Sequence, residues 1–243
     1  MIVRVKNTLT HYRILLALSA CVALAGPVRA DDRQSETVPQ LDAYFKLSDD
    51  FRLYTTASMT QSVSEGTSDG ELGAYLDLLT VKPIILDALL DQLDPERNRY
   101  LWGHVGFAFS GIHEGLALSN GYSERALVIE ATGRYPLASE FWLLVRVRTD
   151  LRELHGDRSN RYRLRFGLEK GYTLLGMTMT PYARVEFLYD TRFDAVSRQI
   201  FQAGVEVRLS PQFRIEPYYA FQKDTRTSPA QLDRLGLVLK YYN

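Results

Sequence analysis

The residues best suited to covalent chemistry lie between positions 111 and 121. A serine becomes a nucleophile when a neighbouring histidine accepts its proton and a third group orients that histidine. His113, Ser119 and Asn120 offer these residue types, and such a set would suit a lipid hydrolase. On a strand, residues two apart project to the same side, so a serine at position 115 would lie beside His113. Position 115 is a glycine instead. We therefore interpret the segment as a polar loop and predict no catalytic residues.

The remaining histidines and the cysteine give no metal or cofactor site. His155 has no second histidine nearby with which to form a metal-binding pair, and His104 lies beside glycines on a polar strand face. We interpret His104 as a hydrogen-bonded interior residue rather than a catalytic base. Neither a metal nor a cofactor is predicted.

Arginines and acids alternate with apolar residues over much of the chain. Ala183, Val185 and Phe187 share one phase, whereas Arg184 and Glu186 share the other. Side chains of a strand point alternately to opposite faces, so each such segment has one apolar and one charged face. Charges enclosed in an interior must pair, because an unpaired buried charge is costly. The predicted interior network is Arg146, Arg148, Asp150, Arg163, Arg165, Glu169, Arg184, Glu186, Glu206, Arg208, Arg214, Glu216 and Arg234.

These faces belong to eleven clear strands, most of them near the ~9–11 residues that a tilted strand needs to cross a membrane. We predict an all-β fold, a closed antiparallel transmembrane β-barrel of about 12 strands. Residues 84–93 fit either a twelfth strand or a short amphipathic helix. The clear segments are Leu41–Leu47, Phe51–Met59, Leu72–Lys82, Leu101–Ser110, Arg125–Tyr135, Phe141–Leu151, Arg161–Glu169, Thr178–Tyr189, Phe201–Leu209, Phe213–Phe221 and Leu232–Tyr242.

The length and number of the strands, and the acids interleaved with their arginines, favour the barrel over a soluble periplasmic β-sandwich. An arginine facing lipid at mid-membrane costs about 2–4 kcal/mol. Eight strand arginines lie on the polar phase: Arg146, Arg148, Arg163, Arg165, Arg184, Arg208, Arg214 and Arg234. A sandwich with one wet face would also alternate, so it remains the alternative fold.

Short turns alternate with longer polar loops, which we expect on the outer side. The longer loops are predicted at 64–71, 111–124, 152–160, 190–198 and 223–231. Two of them begin with the same Asp-Thr-Arg triplet, which forms either a charged rim or simple strand-end pairs of little energetic value. The predicted extracellular rim is Asp190, Arg192, Asp194, Asp224 and Arg226.

The amino terminus has the pattern of a secretory signal over residues 1–30, with a basic start, an apolar centre and small residues before Asp31. Cys21 also fits a lipoprotein cleavage box, although we favour an ordinary signal cysteine. Residues 31–40 are predicted to be a flexible lead-in and 41–243 one barrel domain, placed in the bacterial outer membrane after Sec-type export.

Removing the signal leaves 25 basic and 29 acidic residues, a net charge of −4. This balance gives no reason to expect nucleic acid as a partner. The partners expected of such a barrel are outer-membrane lipids, the barrel-assembly machinery and a small polar solute.

The C-terminal third resembles a known family. The segments that carry the resemblance are Pro181–Ala183, Phe187–Asp194, Gln202–Glu206, Glu216–Tyr219 and Asp224–Arg226. They are similar to uncharacterised bacterial outer-membrane proteins known only as a domain of unknown function and predicted to be β-barrels. The resemblance implies a fold and a location, with no catalytic residue or ligand. Such barrels usually end in an aromatic residue that the insertion machinery recognises, whereas this chain ends in Asn243.

Three functions are consistent with these patterns. The first is an envelope structural component, or a narrow pore or binding barrel for small polar solutes, with a lumen largely filled by ion pairs. The alternatives are an outer-membrane lipid hydrolase that uses the loop His/Ser pair, and a soluble periplasmic binding protein.

Overall fold

The computed structural model describes residues 34–63, 68–79, 100–114, 117–174, 176–226 and 230–243, without the side chains of 68 and 112–122. Twelve strands make up most of this part of the chain, together with a short 3-10 turn at Ala138–Glu140. The strands are β1 (Gln34–Lys46), β2 (Phe51–Ser62), β3 (Ser68–Leu79), β4 (Leu101–Glu114), β5 (Ala117–Pro136), β6 (Phe141–Leu154), β7 (Asp157–Lys170), β8 (Tyr172–Leu174), β9 (Met177–Asp190), β10 (Ala195–Arg208), β11 (Phe213–Asp224) and β12 (Gln231–Tyr242).

Eleven of these strands close into one ring. Each pairs with its neighbour in sequence, β9 pairs with both β7 and β10, and β12 pairs with β1. The short β8 pairs only with β9 and therefore stays outside the ring. The closed barrel is thus confirmed, and each of the eleven clear segments corresponds to a ring strand. Residues 84–93 lie outside the described residues.

The ring closes through one parallel pair. Strands linked by hairpins alternate in direction, so an eleventh strand runs the same way as the first. Here β1 lies parallel to β12, from Gln34 opposite Leu232 to Tyr44 opposite Tyr242. We predicted a wholly antiparallel ring with an even number of strands. Both points are corrected, because the ring has eleven strands and closes through a parallel pair.

The amino-terminal segment differs from its prediction. Residues 34–40 were expected in a flexible lead-in, but they form the first half of β1 and pair with β12 on one side and β2 on the other. Without residues 34–40, the facing parts of β12 and β2 would expose unpaired backbone groups.

Two predicted loops are strand hairpins instead. In β6 and β7 the pairing continues to Leu154 opposite Asp157, and the turn consists of His155 and Gly156. Both turn residues have positive φ, at 52° and 90°, as a type I′ hairpin requires. Likewise, pairing of β4 with β5 continues to Glu114 opposite Ala117, inside the predicted loop at 111–124.

The barrel is apolar outside and polar inside. Val147 is 51% exposed on the outer face, whereas Asp150 on the inner face is 0% exposed. Large apolar side chains on the outer phase of most ring strands are similarly exposed, among them Leu76, Phe107 and Leu237. A soluble two-layer sandwich is therefore wrong, because one sheet closes on itself and its enclosed face carries the charges. Within the described residues, no helix is long and apolar enough to span a membrane.

Tyrosines on the inner face pack directly over glycines of the next strand. Tyr75 lies opposite Gly106, and Tyr218 lies opposite Gly236. A Cβ added at Gly106 would lie 2.1 Å from the backbone oxygen of Ala74 and 2.5 Å from the Tyr75 Cα. The close approach of β3 to β4 therefore requires glycine at this position.

Candidate functional site in the barrel lumen

A cavity of about 440 Å³ occupies the interior of the ring. We call it the central cavity, and each of the eleven ring strands contributes at least one residue to its lining. Most of the lining side chains are charged, hydroxyl-bearing or amide-bearing. Polar groups removed from bulk water are stable only when they are hydrogen-bonded, so such a lining calls for water, ion pairs or a polar ligand.

One side of the central cavity is built from arginines, which we call the arginine wall. It consists of Arg146 and Arg148 on β6, Arg163 and Arg165 on β7, and Arg184 on β9. The register places Arg146 directly opposite Arg165, and Arg148 directly opposite Arg163. Like charges at directly opposed positions of a sheet repel each other, so this wall needs nearby anions.

Glu186 is the main anion behind the arginine wall. Its side chain is 2% exposed and lies within 2.7 Å of Arg146 Nη2, 2.9 Å of Arg163 Nε and 2.5 Å of Arg165 Nε. The contacts from Arg146 and Arg165 are charge-assisted hydrogen bonds, which are about twice as strong as neutral ones. One carboxylate thus forms ion pairs with three guanidinium groups.

Asp150 and Glu130 neutralise the neighbouring positions. Asp150 accepts a hydrogen bond of 2.5 Å from Arg148 Nε and one of 2.7 Å from Arg161 Nε. Glu130 lies 3.4 Å from Arg146 Nη1, a looser contact. These pairs balance part of the wall's positive charge.

The opposite side of the cavity carries a row of stacked rings, which we call the aromatic ladder. Centroid distances are 4.6 Å from Tyr242 to Tyr44, 4.7 Å from Tyr44 to Tyr54, 5.2 Å from Tyr54 to Tyr75, and 4.8 Å from Tyr75 to His104. The ladder therefore crosses β12, β1, β2, β3 and β4 through neighbouring cross-strand positions. Offset aromatic contacts at such distances stabilise neighbouring strands.

Acids accompany the aromatic ladder. Asp42 accepts a hydrogen bond of 2.9 Å from Gln40 Nε2, and Asp77 forms an ion pair of 2.6 Å with Arg52. His104 lies between two carboxylates, 3.7 Å from both Asp77 and Glu130. Among the residues that line the cavity, five of the seven cations thus lie on β6, β7 and β9, and three of the five acids lie on β1 and β3.

A buried layer of ion pairs lies in the lumen towards the His155–Gly156 hairpin. Arg152 lies 3.1 Å from Glu124 and 2.6 Å from Asp190, and Arg161 lies 3.2 Å from Glu124. The Arg152 side chain is only 1% exposed. This layer links β5, β6, β7 and β9 beyond the central cavity.

A smaller cavity of about 200 Å³ lies towards the other end of the barrel. Its lining includes Arg134, which is 2.5 Å from Glu169, and Arg214, which is 2.9 Å from Glu206. The two cavities share five lining residues, which lie where the cavities adjoin. We call these the constriction residues: Tyr44, Arg52, Trp102, Leu144 and Arg184.

The residues of the predicted charged network lie on the inner phase of their strands. Arg234 pairs with Glu36 at 2.5 Å, and Arg184 lies 3.7 Å from Glu216. Arg208 shares its phase with Glu206 and lies opposite Arg214 in the register. Several further charged residues of the inner face were not predicted, although their strand phase indicates it: Asp42, Arg52, Asp77, Glu124, Arg134, Arg152, Arg161 and Lys240.

The predicted rim residues occupy two kinds of position. Asp190 and Asp224 are buried strand ends, held by Arg192 at 2.8 Å and by Arg198 at 2.7 Å respectively. Asp194 accepts a hydrogen bond from the Tyr189 hydroxyl, and Arg226 is exposed. For Asp190 and Asp224 the interpretation as an exposed charged rim is therefore replaced by strand-end pairing.

The threonines of the two Asp-Thr-Arg triplets behave alike. Thr191 Oγ1 donates to the Asn160 carbonyl at 3.1 Å, and Thr225 Oγ1 donates to the Val196 carbonyl at 3.1 Å. Each triplet thus fixes the end of its strand to the adjacent strand.

The side chains of His113, Ser119 and Asn120 lie outside the described residues, so the hydrolase hypothesis stays a prediction. Their backbone belongs to the β4–β5 hairpin, where His113 lies opposite Leu118. Among the described residues, no group of three His, Cys, Asp or Glu side chains is arranged to hold a metal ion.

No protein-family model and no curated protein matches the chain, so membership of the uncharacterised outer-membrane family stays a prediction. Among solved structures, the chain is similar to the β-domain of the Bordetella autotransporter BrkA. The identity is 14%, the match covers 80% of this chain and 83% of that one, and the TM-score is 0.46.

Proposed function

We propose that this protein is an outer-membrane β-barrel that binds small polar solutes in its central cavity and passes them along a narrow path. The observation that carries the proposal is the polar central cavity, to which every strand of the closed ring contributes. A purely structural barrel needs no such cavity. Eight-stranded barrels fill their interiors with side chains, whereas eleven strands leave unfilled space here.

The distribution of residues supports a membrane location. Val105, Phe107 and Phe109 follow one another on the outer phase of β4 and are 46–58% exposed. The strand arginines of the network face inward, which avoids the cost of about 2–4 kcal/mol for an arginine facing lipid at mid-membrane. The predicted export signal fits this placement. Release of the protein with the periplasmic fraction on osmotic shock would contradict it.

The constriction residues determine which chemical groups a solute meets between the two cavities. Arg52, Trp102 and Arg184 lie between the two cavities, so a solute that leaves the central cavity on this side must pass two guanidinium groups and an indole ring. The buried ion-pair layer limits exchange at the other end. Binding with slow passage therefore suits this lumen better than the free flow of an open porin.

A matched pair of cysteine variants tests the proposal. Ser58 lines the central cavity, whereas its neighbour Ala57 lies on the outer face beside Leu41 and Leu72. In a Cys21→Ser background, which removes the one native cysteine, we expect a charged thiol reagent to label Ser58→Cys in lipid vesicles and to reduce its single-channel conductance. Ala57→Cys should resist the reagent because lipid covers it. Absence of both labelling and conductance for Ser58→Cys would indicate a filled, structural barrel.

A further inference from the structure

We infer that the solute of the central cavity is a small anion that carries a carboxylate or phosphate group together with hydroxyl groups. The inference rests on the proposed solute-binding function and names the class of solute. The acidic group would contact the arginine wall, and the hydroxyl groups would face the opposite side.

The charge of the cavity lining points to an anion. The described lining holds seven cationic side chains against five acidic ones. The cations are Arg52, Arg146, Arg148, Arg163, Arg165, Arg184 and Lys240, and the acids are Asp42, Glu71, Asp77, Glu130 and Glu216. On β6, β7 and β9, five arginines line the cavity, and no described lining residue of these strands is acidic.

The arrangement of the arginines shows the same preference. Two directly opposed arginine pairs across β6 and β7 repel each other, and Glu186 must serve three guanidinium groups at once. Arg146 Nε is buried and makes no hydrogen bond within the described part of the chain. An anion held between these groups would relieve the repulsion, and guanidinium groups bind carboxylate and phosphate oxygens in a bidentate manner.

The opposite side of the cavity suits hydroxyl groups. Thr56, Ser58, Tyr54 and the carboxylate of Asp42 all line it, and they offer both donors and acceptors within one surface. A bare inorganic anion would leave these groups to water alone. A hydroxylated acid would use both walls of the cavity, so it fits the lining better.

The two tryptophans of the chain allow a direct binding test. Trp102 is a constriction residue, whereas Trp142 packs under the Arg134 guanidinium at 4.2 Å. A Trp142→Phe variant makes Trp102 the single reporter of the cavity. Purified barrel in detergent micelles would be titrated with glucose 6-phosphate, glucuronate and glucose while the fluorescence of Trp102 is recorded.

We expect both acids to bind at least tenfold more tightly than glucose, and 1 M NaCl to weaken their binding by screening. The tighter of the two acids identifies phosphate or carboxylate as the preferred group. In Arg163→Gln/Arg165→Gln, acid affinity should fall at least tenfold. The matched control, Arg208→Gln/Arg234→Gln, removes two lumen arginines that do not line the central cavity and should bind as the parent does. Arg184→Gln serves as a second wall variant if the double variant fails the gel-mobility test of barrel folding.

Equal affinity for glucose and the acids would overturn the inference, and so would wall variants that bind like the control. If no probe binds but Ser58→Cys is labelled, the anion inference fails while the proposed function stands. If Ser58→Cys is also protected from the reagent, the proposed function itself fails.

Discussion

Replacement of Glu186 by glutamine tests how far the lumen depends on its ion pairs. The substitution keeps the shape of the side chain but removes the charge that faces Arg146, Arg163 and Arg165. Breaking a buried ion pair from one side typically costs about 3–5 kcal/mol, because the remaining charge is left uncompensated. The three guanidinium side chains are 18–22% exposed to the cavity, so water offsets part of this cost. We therefore expect a loss near the lower end, about 3 kcal/mol, or about 100-fold in the folding equilibrium.

Urea-induced unfolding in phospholipid vesicles, followed by tryptophan fluorescence, measures this loss. Glu36→Gln is the control, because among the described residues Glu36 forms an ion pair with Arg234 alone, near the start of β12. We expect it to cost about 1 kcal/mol, as partly exposed pairs contribute little. Adding Arg165→Gln to the Glu186→Gln variant should restore about 1–2 kcal/mol by removing one of the opposed arginines. A Glu186→Gln loss no larger than that of the control, or a double variant less stable than the single one, would refute the reasoning.

Two further predictions concern the architecture. Gly106→Ala should destabilise the barrel by about 2–4 kcal/mol in the same unfolding assay, because the new Cβ would lie 2.1 Å from the Ala74 carbonyl oxygen and close contacts of this kind strain the backbone. Gly133→Ala, whose new Cβ would have its nearest neighbour at 3.9 Å, should cost under about 1 kcal/mol, and equal losses would contradict the packing of β3 on β4. At the seam, the pair Thr37→Cys/Leu235→Cys should form a disulfide in a Cys21→Ser background, because these positions are opposite each other in the parallel register. Thr37→Cys/Leu239→Cys, displaced by roughly 13 Å along β12, should not cross-link, and the reverse pattern would exclude parallel closure.

Much of the fold was predictable from alternation alone. Period-two patterns located all eleven ring strands and placed Arg146, Arg163 and Glu186 on the inner face, because a strand's phase is visible in its own residues. Closure was not predictable in the same way. The parallel seam depends on how many strands the ring holds, and the pattern around Gln34–Gln40 was too weak to show that β1 begins so early.

Partners within the lumen were also hidden from the sequence. Which acid pairs with which arginine depends on the register and shear of the barrel. Neither can be determined from the residues of a single strand. Glu186 lies opposite Arg165 only because β9 pairs with β7 in one particular register. For a related reason the sequence left both a charged rim and strand-end pairing open for the Asp-Thr-Arg triplets. Asp190 reads as the first loop residue, yet it is the last residue of β9 and its side chain turns towards Arg152.

The reversal potential of the purified protein in a planar bilayer, under a tenfold KCl gradient, tests most directly whether a cationic wall governs this lumen. We predict a small conductance that favours chloride over potassium, with a preference that declines in Arg163→Gln/Arg165→Gln and persists in Arg208→Gln/Arg234→Gln. A conductance that favours potassium, or a chloride preference that the wall variant leaves unchanged, would contradict the account.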